Sequence, residues 1–328
     1  MVQPDVGDVH VNTFLTNLSI GYFQDEANFI ADRVFPVVMV DNQTDIYAKY
    51  NKDAWFRDQG ERMRRAPGTK AARTGWTIDS NNTYKCLNEA IGTTIPDELR
   101  SNADAVYNLD SDATQLVTIQ QMIRRERLFA SKYMATGKWT TDKTGGSDFT
   151  KWNDYANSDP FGDFETFRNS MRLLVGRFPN KAVMAYDVWK VLKHHPDFLD
   201  RIKGGATVDN PALLTQQQFA AFVEIPEIIV PLSVYNTAAE AVPPATAVLA
   251  DIFSNPMLLT YTTSSPALLS PTAGYTFVWK PMVNSGAIQY IRKYREEPEK
   301  QDVIEAFSYF DQEVTAPDAG VYIATPAA

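Results

Sequence analysis

Residues 55–76, WFRDQGERMRRAPGTKAARTGW, gather Arg57, Arg62, Arg64, Arg65, Lys70 and Arg73 against only Asp58 and Glu61. That is a local charge of +4 between two tryptophans, in a chain of 328 residues whose net charge is −9. Pro67-Gly68 reads as a turn. On either side, IYAKYNKDAWF (46–56) and GWTIDSNNTYKCLNEAI (75–91) are rich in Tyr, Trp, Thr and Ile with partial alternation, the pattern of strands. The stretch therefore predicts a long β-hairpin with a cationic tip. A hairpin alone is marginal in water, so its own domain or another molecule must support it. Three readings of the tip compete: a solvated end, a phosphate site without a helix terminus or interleaved aromatics to build a groove, and docking on an acidic surface of a neighbour.

Upstream, residues 12–35 read as an amphipathic arm with Phe14, Leu18 and Tyr22 at helical spacing, stopped by Pro36 and followed by a short strand, VVMV. Downstream, a helix starts at Pro96 with Asp97 and Glu98 in its first turn. A longer helix is expected from Ser111 to Thr136, capped by Asp110 or Ser111 and ended by Gly137. Its predicted apolar stripe is Leu116, Ile119, Ile123, Ala130 and Met134, with Met122, Phe129 and Tyr133 beside it. A helix around 162–175 follows, then KAVMAYDVWKVLKHHPDFLDRIKGG (181–205) as strand, helix, break at Pro196 and short helix. Thr215 with Gln218 forms a capping box. Strands end the chain: AIQYIRKYREE (287–297), VIEAFSYFDQEV (303–314) and GVYIATP (320–326). The class is α+β, with an αβ block at about 166–281 inserted between the long helix and the last strands.

No chemistry of catalysis, cofactor or metal binding emerges. His194-His195 are two of three histidines, and adjacent helical residues diverge by about 100°; a helix-end histidine is the simpler reading. Cys86 reads as a buried structural thiol. DKTGGSD (142–148) departs from a calcium loop at Thr144, Gly146 and Asn153, and TGKWT (136–140) lacks the glycine and hydroxyl of a phosphate loop. A single cysteine excludes an internal disulfide. No segment has the charge and apolar pattern of a signal peptide, and no apolar run is long enough for a membrane. The acidic balance argues against sequence-specific DNA binding.

The order of these parts resembles the major capsid proteins of tailed bacteriophages, with the Hong-Kong-ninety-seven-type capsid fold. The resemblance is carried by NFIADRVFPVVMVDNQTDIYAKYNKDAWFR (28–57), RAPGTKAARTGWTIDSNNTYKCLNEAIGTTIPDELRSNAD (65–104), PNKAVMAYDVWKVLKHHPDFLDRIK (179–203), SPTAGYTFVW (270–279) and DAGVYIATP (318–326). It implies an N-terminal arm at 1–45 and an extended loop (E-loop) at 46–91. It further implies a peripheral domain with a spine helix at 92–165 and 282–328, and an axial domain at 166–281. It implies a structural, non-enzymatic protein without cofactor, self-assembling as pentamers and hexamers into an icosahedral head that encloses double-stranded DNA. Assembly would take place in the host bacterial cytoplasm, and the protein would reside in the virion. Because the recognisable arm begins near Met1, a scaffolding protein is expected to be separate; a portal is expected too, and a decoration protein is allowed. One loop lysine, Lys70, gives no ground to expect crosslinking. The implied role of the loop tip (Arg57, Arg62, Arg64, Arg65, Lys70, Arg73) is contact with an adjacent subunit. The candidate acceptors are Asp97, Glu98, Asp104, Asp110 and Asp112, or the edge Glu296, Glu297 and Glu299. The alternatives are an encapsulin-type bacterial compartment shell and a soluble enzyme without recognisable motif.

Overall fold

The computed structural model of the chain describes residues 24–50, 52–103, 108–203, 214–239, 246–266, 270–282 and 288–327. The α+β class holds: the described residues form two five-stranded sheets, two two-stranded ribbons and a set of helices packed on them.

The first sheet is organised by β13 (Gln301–Val314). Its sequence alternates, so Ile304, Ala306, Ser308, Phe310 and Gln312 all fall on a buried face, as the period of two demands. β4 (Leu87–Pro96) runs antiparallel along it from Phe310↔Leu87 to Gln301↔Pro96. β12 (Tyr290–Glu296) pairs with the same stretch from the opposite side. β11 (Gly274–Trp279) pairs with the end of β13, and β1 (Val37–Val40) adds parallel to β11.

The long helix α4 spans Leu109–Tyr133, 25 residues and about 38 Å. Its cap is Asn108, whose side chain accepts from the Ser111 N–H at 3.2 Å; this places the start two residues before the expected Ser111, and Asp110 and Asp112 become first-turn acids. The buried face also differs from the predicted stripe. It is the row Ala113, Val117, Gln121, Arg125, Phe129 and Tyr133, each four residues from the last, while Leu116 is 47% exposed. The reason is polar. The Gln121 amide donates to the carbonyls of Glu89 (2.8 Å) and Ala306 (3.2 Å) and accepts from the Ser308 hydroxyl (3.2 Å), so a buried glutamine clips the helix to β4 and β13 at once. Ala113 and Val117 pack on Ile95, Ile304 and Ala306; Phe129 and Tyr133 enter the main core against Phe35.

The second sheet has the order β5 (Thr141–Thr144), β14 (Gly320–Ala324), β10 (Met257–Thr260), β6 (Lys181–Met184), β7 (Glu227–Ile229). Helices α5 (Pro160–Val175), α6 (Tyr186–Lys193), α7 (Pro196–Lys203) and α8 (Gln216–Val223) follow the sequence reading closely, and the Thr215–Gln218 capping box is present. Strand pairing crosses the division implied by resemblance. β14, near the C-terminus, sits inside the sheet of β6 and β10, and β11, from the inserted block, belongs to the sheet of β13.

The hairpin exists but is shorter than expected. β2 (Thr44–Tyr50) pairs with β3 (Ile78–Lys85) from Thr44↔Lys85 to Tyr50↔Ile78. Residues Lys52–Phe56, read as strand, form a helical turn, α2. The return strand ends at Cys86 and the chain re-forms as β4, which pairs with β13 instead. The arm residues Phe14, Leu18 and Tyr22 lie outside the described residues. From Ile30, a short helix α1 (Ala31–Val34) and Phe35 are buried in the main core.

Candidate functional site

Between α2 and β3 the chain forms one short 3-10 helix, Gly60–Met63, and otherwise leaves regular structure. A turn at 66–69 closes through Thr69 N–H to Ala66 C=O (3.2 Å), with Gly68 at φ +79°. That conformation suits glycine after proline in a type II turn, so the Pro-Gly reading is correct. All six tip cations are exposed. Arg57 pairs with Asp53 one turn back, and Arg64 with Glu61 at 3.0 Å. Among the described residues, no side-chain hydrogen bond or ion pair holds Arg62, Arg65, Lys70 or Arg73.

The same segment exposes large apolar side chains: Trp55 is 58% exposed, Phe56 65%, Met63 70% and Trp76 62%. Ile46, Ile78, Leu87 and Ile91 add to them. Exposed apolar side chains in this number within one loop are the composition expected of an interaction surface. The root of the loop is tied to the body: Lys52 Nζ donates to Asp318 at 2.7 Å. The Phe56 ring lies over Gly176, 3.3 Å from where a Cβ would sit; Gly176 ends α5 at φ +73°.

The structure also gathers the predicted acceptors, with Asp104 outside the described residues. Asp97 N–H donates to Lys300 C=O (3.0 Å), which seats α3 (Asp97–Asn102) against the β12–β13 turn. Arg100 forks onto Asp110 (3.0 and 2.8 Å) and reaches Asp302 (3.0 Å). Lys293 donates to Asp110 (3.0 Å) and lies 3.2 Å from Asp302. Arg295 grips Asp97 with two bonds of 2.5 Å. The Arg100 fork, joined by Lys293, holds the Asp110 carboxyl down at about 2; Arg295 lowers Asp97, and Lys293 with Arg295 lowers Asp302. Asp97 and Asp110 are thus occupied within the chain. Glu296 accepts from Gln301 (2.7 Å), and Glu297 is 3.6 Å from Arg295. Glu98, Asp112 and Glu299 are exposed. Asp97, Glu98, Asp110, Asp112, Glu296, Glu297, Glu299 and Asp302 share this end of the first sheet with Arg100, Lys293, Arg295 and Lys300, a net −4 that mirrors the loop's +4. Sequence reasoning missed Asp302 and its three cations. The signal was the alternation of IRKYREE beside an acidic helix start, but Arg295 lies 198 residues from Asp97, and Asp302 lies 202 from Arg100.

The other residues with chemical potential are internally closed. His195 is fully buried, with Nε2 2.9 Å from Ser158 Oγ and Nδ1 3.6 Å from an Asp197 carboxylate oxygen. The resemblance to a catalytic triad fails on proton direction. Nδ1 accepts from the Asp197 N–H (3.3 Å), so Nε2 carries the proton and donates to Ser158, whose hydroxyl donates onward to Asp154 C=O (2.6 Å). The serine has no base. Burial pushes the His195 pKa down, the opposite of what a nearby helix C-terminus would do. Cys86 is buried, and burial raises its thiol to about 12. No group of three or more His, Cys, Asp or Glu that could hold a metal occurs among the described residues, and none of the described helices is long and apolar enough to cross a membrane.

This architecture is the capsid fold of tailed phages. A phage-related protein from Bordetella bronchiseptica superposes with TM-score 0.68 at 20% identity, covering 94% of each chain. The capsid structure of cyanophage P-SCSP1u superposes with TM-score 0.62 at 11% identity, covering all of this chain and 96% of the other. In sequence, the chain is homologous to the major capsid protein of Burkholderia phage BcepMu, 27% identical over 203 residues; the match spans 61% of this chain and 64% of that protein. No family model matches the sequence.

Proposed function

We propose that this chain is a tailed-phage major capsid protein, self-assembling as pentamers and hexamers into the icosahedral head around double-stranded DNA. The observation that carries the reading is the pairing, within this fold, of an exposed apolar and cationic loop with an acidic end of the same chain. A loop of charge +4 cannot satisfy a −4 surface and bury four exposed aromatic or thioether side chains against its own short ribbon, whereas a second copy supplies both. The E-loop is then the 46–86 segment, and Arg57, Arg62, Arg64 and Arg65 contact the neighbour. Glu98, Asp112 and Glu299 are the acceptors left open by the intrachain network, and Glu297, 3.6 Å from Arg295 but 81% exposed, stays accessible as a fourth. Arginine suits this contact because its planar fork holds carboxylates bidentately and is weakly hydrated. The protein is structural rather than enzymatic, is assembled in the host bacterial cytoplasm and resides in the virion. A separate scaffolding protein and a portal are its assembly partners, with a decoration protein as an optional one. Its acidic balance leaves the enclosed DNA without tight or sequence-specific contact.

Electron microscopy of the expressed protein tests the reading: closed shells or tubes are expected, and a stable compact monomer at high concentration contradicts it. A second reading is kept by one observation, the likeness to the SrpI encapsulin complex of Synechococcus elongatus (TM-score 0.55, 10% identity, 99% of this chain and 96% of the other). Nucleic acid in particles from infected or induced cells favours the phage head; protein cargo favours the compartment.

A further inference from the structure

Glu126, in the C-terminal half of α4, is fully buried. Its carboxyl faces the start of α1. Both oxygens lie 3.1 Å from the Ile30 N–H, one lies 2.9 Å from the Ala31 N–H, and the Ser233 hydroxyl approaches at 3.4 Å. One side chain thus joins its own helix to two segments 96 and 107 residues away. The far end of α1 is held by a cation: Lys181 Nζ donates to the carbonyls of Arg33 (2.7 Å) and Val34 (3.0 Å).

The two grips differ in one respect. Lys181 has a counter-ion, Glu227 at 3.6 Å. Among the described residues no cation lies within ion-pair distance of Glu126. The adjacent Arg125 is buried but turns to Asp32, 3.1 Å away on α1, and Asp32 places a second carboxyl near Glu126. The groups facing Glu126 are therefore the α1 N–H groups and Asp32, the Ser233 hydroxyl, and on its own helix Arg125, already engaged. Isolated buried carboxylates are costly. A protonated carboxyl avoids that cost and keeps a carbonyl oxygen for the α1 N–H groups.

We propose that Glu126 is a proton-operated latch on the 30–35 segment: protonated, it seats α1 in the core; ionised, beside Asp32 and without a cation, it loosens the seat. Burial is the leading cause that raises its pKa to about 7, with Asp32 adding to it and the N–H donors opposing. The sign follows directly. A carboxyl whose seated pKa lies above its free value stabilises the seat fully below the free value, and the contribution is lost as pH rises through about 7. The latch thus works near neutral pH, and the inference holds whether or not the chain builds a phage head.

The test is hydrogen exchange of the 30–34 amides in the full-length protein, corrected for intrinsic rates, between pH 6 and pH 8. Protection in the wild type is expected to fall about tenfold over this range, while Glu126→Gln, a neutral isostere, keeps it constant. Asp32→Asn provides an independent arm should the glutamine variant not fold: without the second carboxyl, and with Arg125 released, the wild-type transition moves to lower pH. Identical pH profiles for wild type and Glu126→Gln overturn the latch. So does loss of protection in Glu126→Gln at every pH, because the charge is then what holds α1, and so does an unmoved midpoint in Asp32→Asn.

Discussion

The long helix α4 and the 46–86 loop treat their polar and apolar groups in opposite ways. Along α4, even buried polar side chains find partners inside the chain: Gln121 holds two carbonyls and a hydroxyl, and Glu126 holds two N–H groups. In the loop, Trp55, Phe56, Met63 and Trp76 stand more than half exposed, and four of six tip cations have no side-chain partner among the described residues. A folded domain tolerates single exposed apolar residues, but several in one loop beside unpaired charge are what the proposed docking on a second copy would cover. The helix is closed within its own chain; on the proposed reading, the loop is closed by a second copy.

This contrast is broken or sharpened by substitution. Phe129→Ala, in the buried row of α4, should cost about 3–5 kcal/mol of stability, read by chemical denaturation, and should lower the yield of folded protein whatever its assembly state. Arg64→Glu with Arg65→Glu should leave the circular dichroism of the unassembled protein unchanged and abolish or misdirect shell formation, seen by electron microscopy. Trp55→Ser with Trp76→Ser should act more mildly, raising the protein concentration needed for assembly while the monomer's melting temperature stays put; a large drop in that temperature would mean the loop packs on its own body. The smallest effect is expected at Asp110→Asn. A partly exposed surface pair is worth about 0–1 kcal/mol, and because the Asp110 pKa is depressed to about 2, its contribution is present near neutral pH and disappears as pH falls through that value. Melting curves of wild type and variant should converge in strong acid; curves that converge already at pH 4 would show that the Arg100 fork does not hold Asp110.

Local signals in the sequence translated well, and long-range ones did not. The Thr215–Gln218 capping box, the Pro67-Gly68 turn and the limits of α4 to within a few residues rest on neighbours in the chain, so they were legible. The buried face of α4 is not legible locally, because Gln121 and Glu126 look like surface residues until Ser308 and Ile30 arrive beside them, 187 and 96 residues away. The end of the hairpin's return strand is hidden for a similar reason: at Cys86 the chain changes partner from β2 to β13, and nothing in the local alternation marks the exchange. At the candidate site, the cationic tip stood out as one contiguous run. The acidic end did not, since β4–β13 pairing alone brings Asp97 and Glu299 to the same place. The occupied state of Asp97 and Asp110 could be seen only once Arg295 and Arg100 were placed.

The most direct test of loop docking is a side-chain-resolution reconstruction of the assembled particle. The account predicts Arg62, Arg64 and Arg65 within ion-pair distance of Glu98, Asp112, Glu297 or Glu299 of an adjacent subunit, with Trp55 and Trp76 covered. Arginines free in solvent at the loop tip, with both tryptophans still exposed, would contradict it.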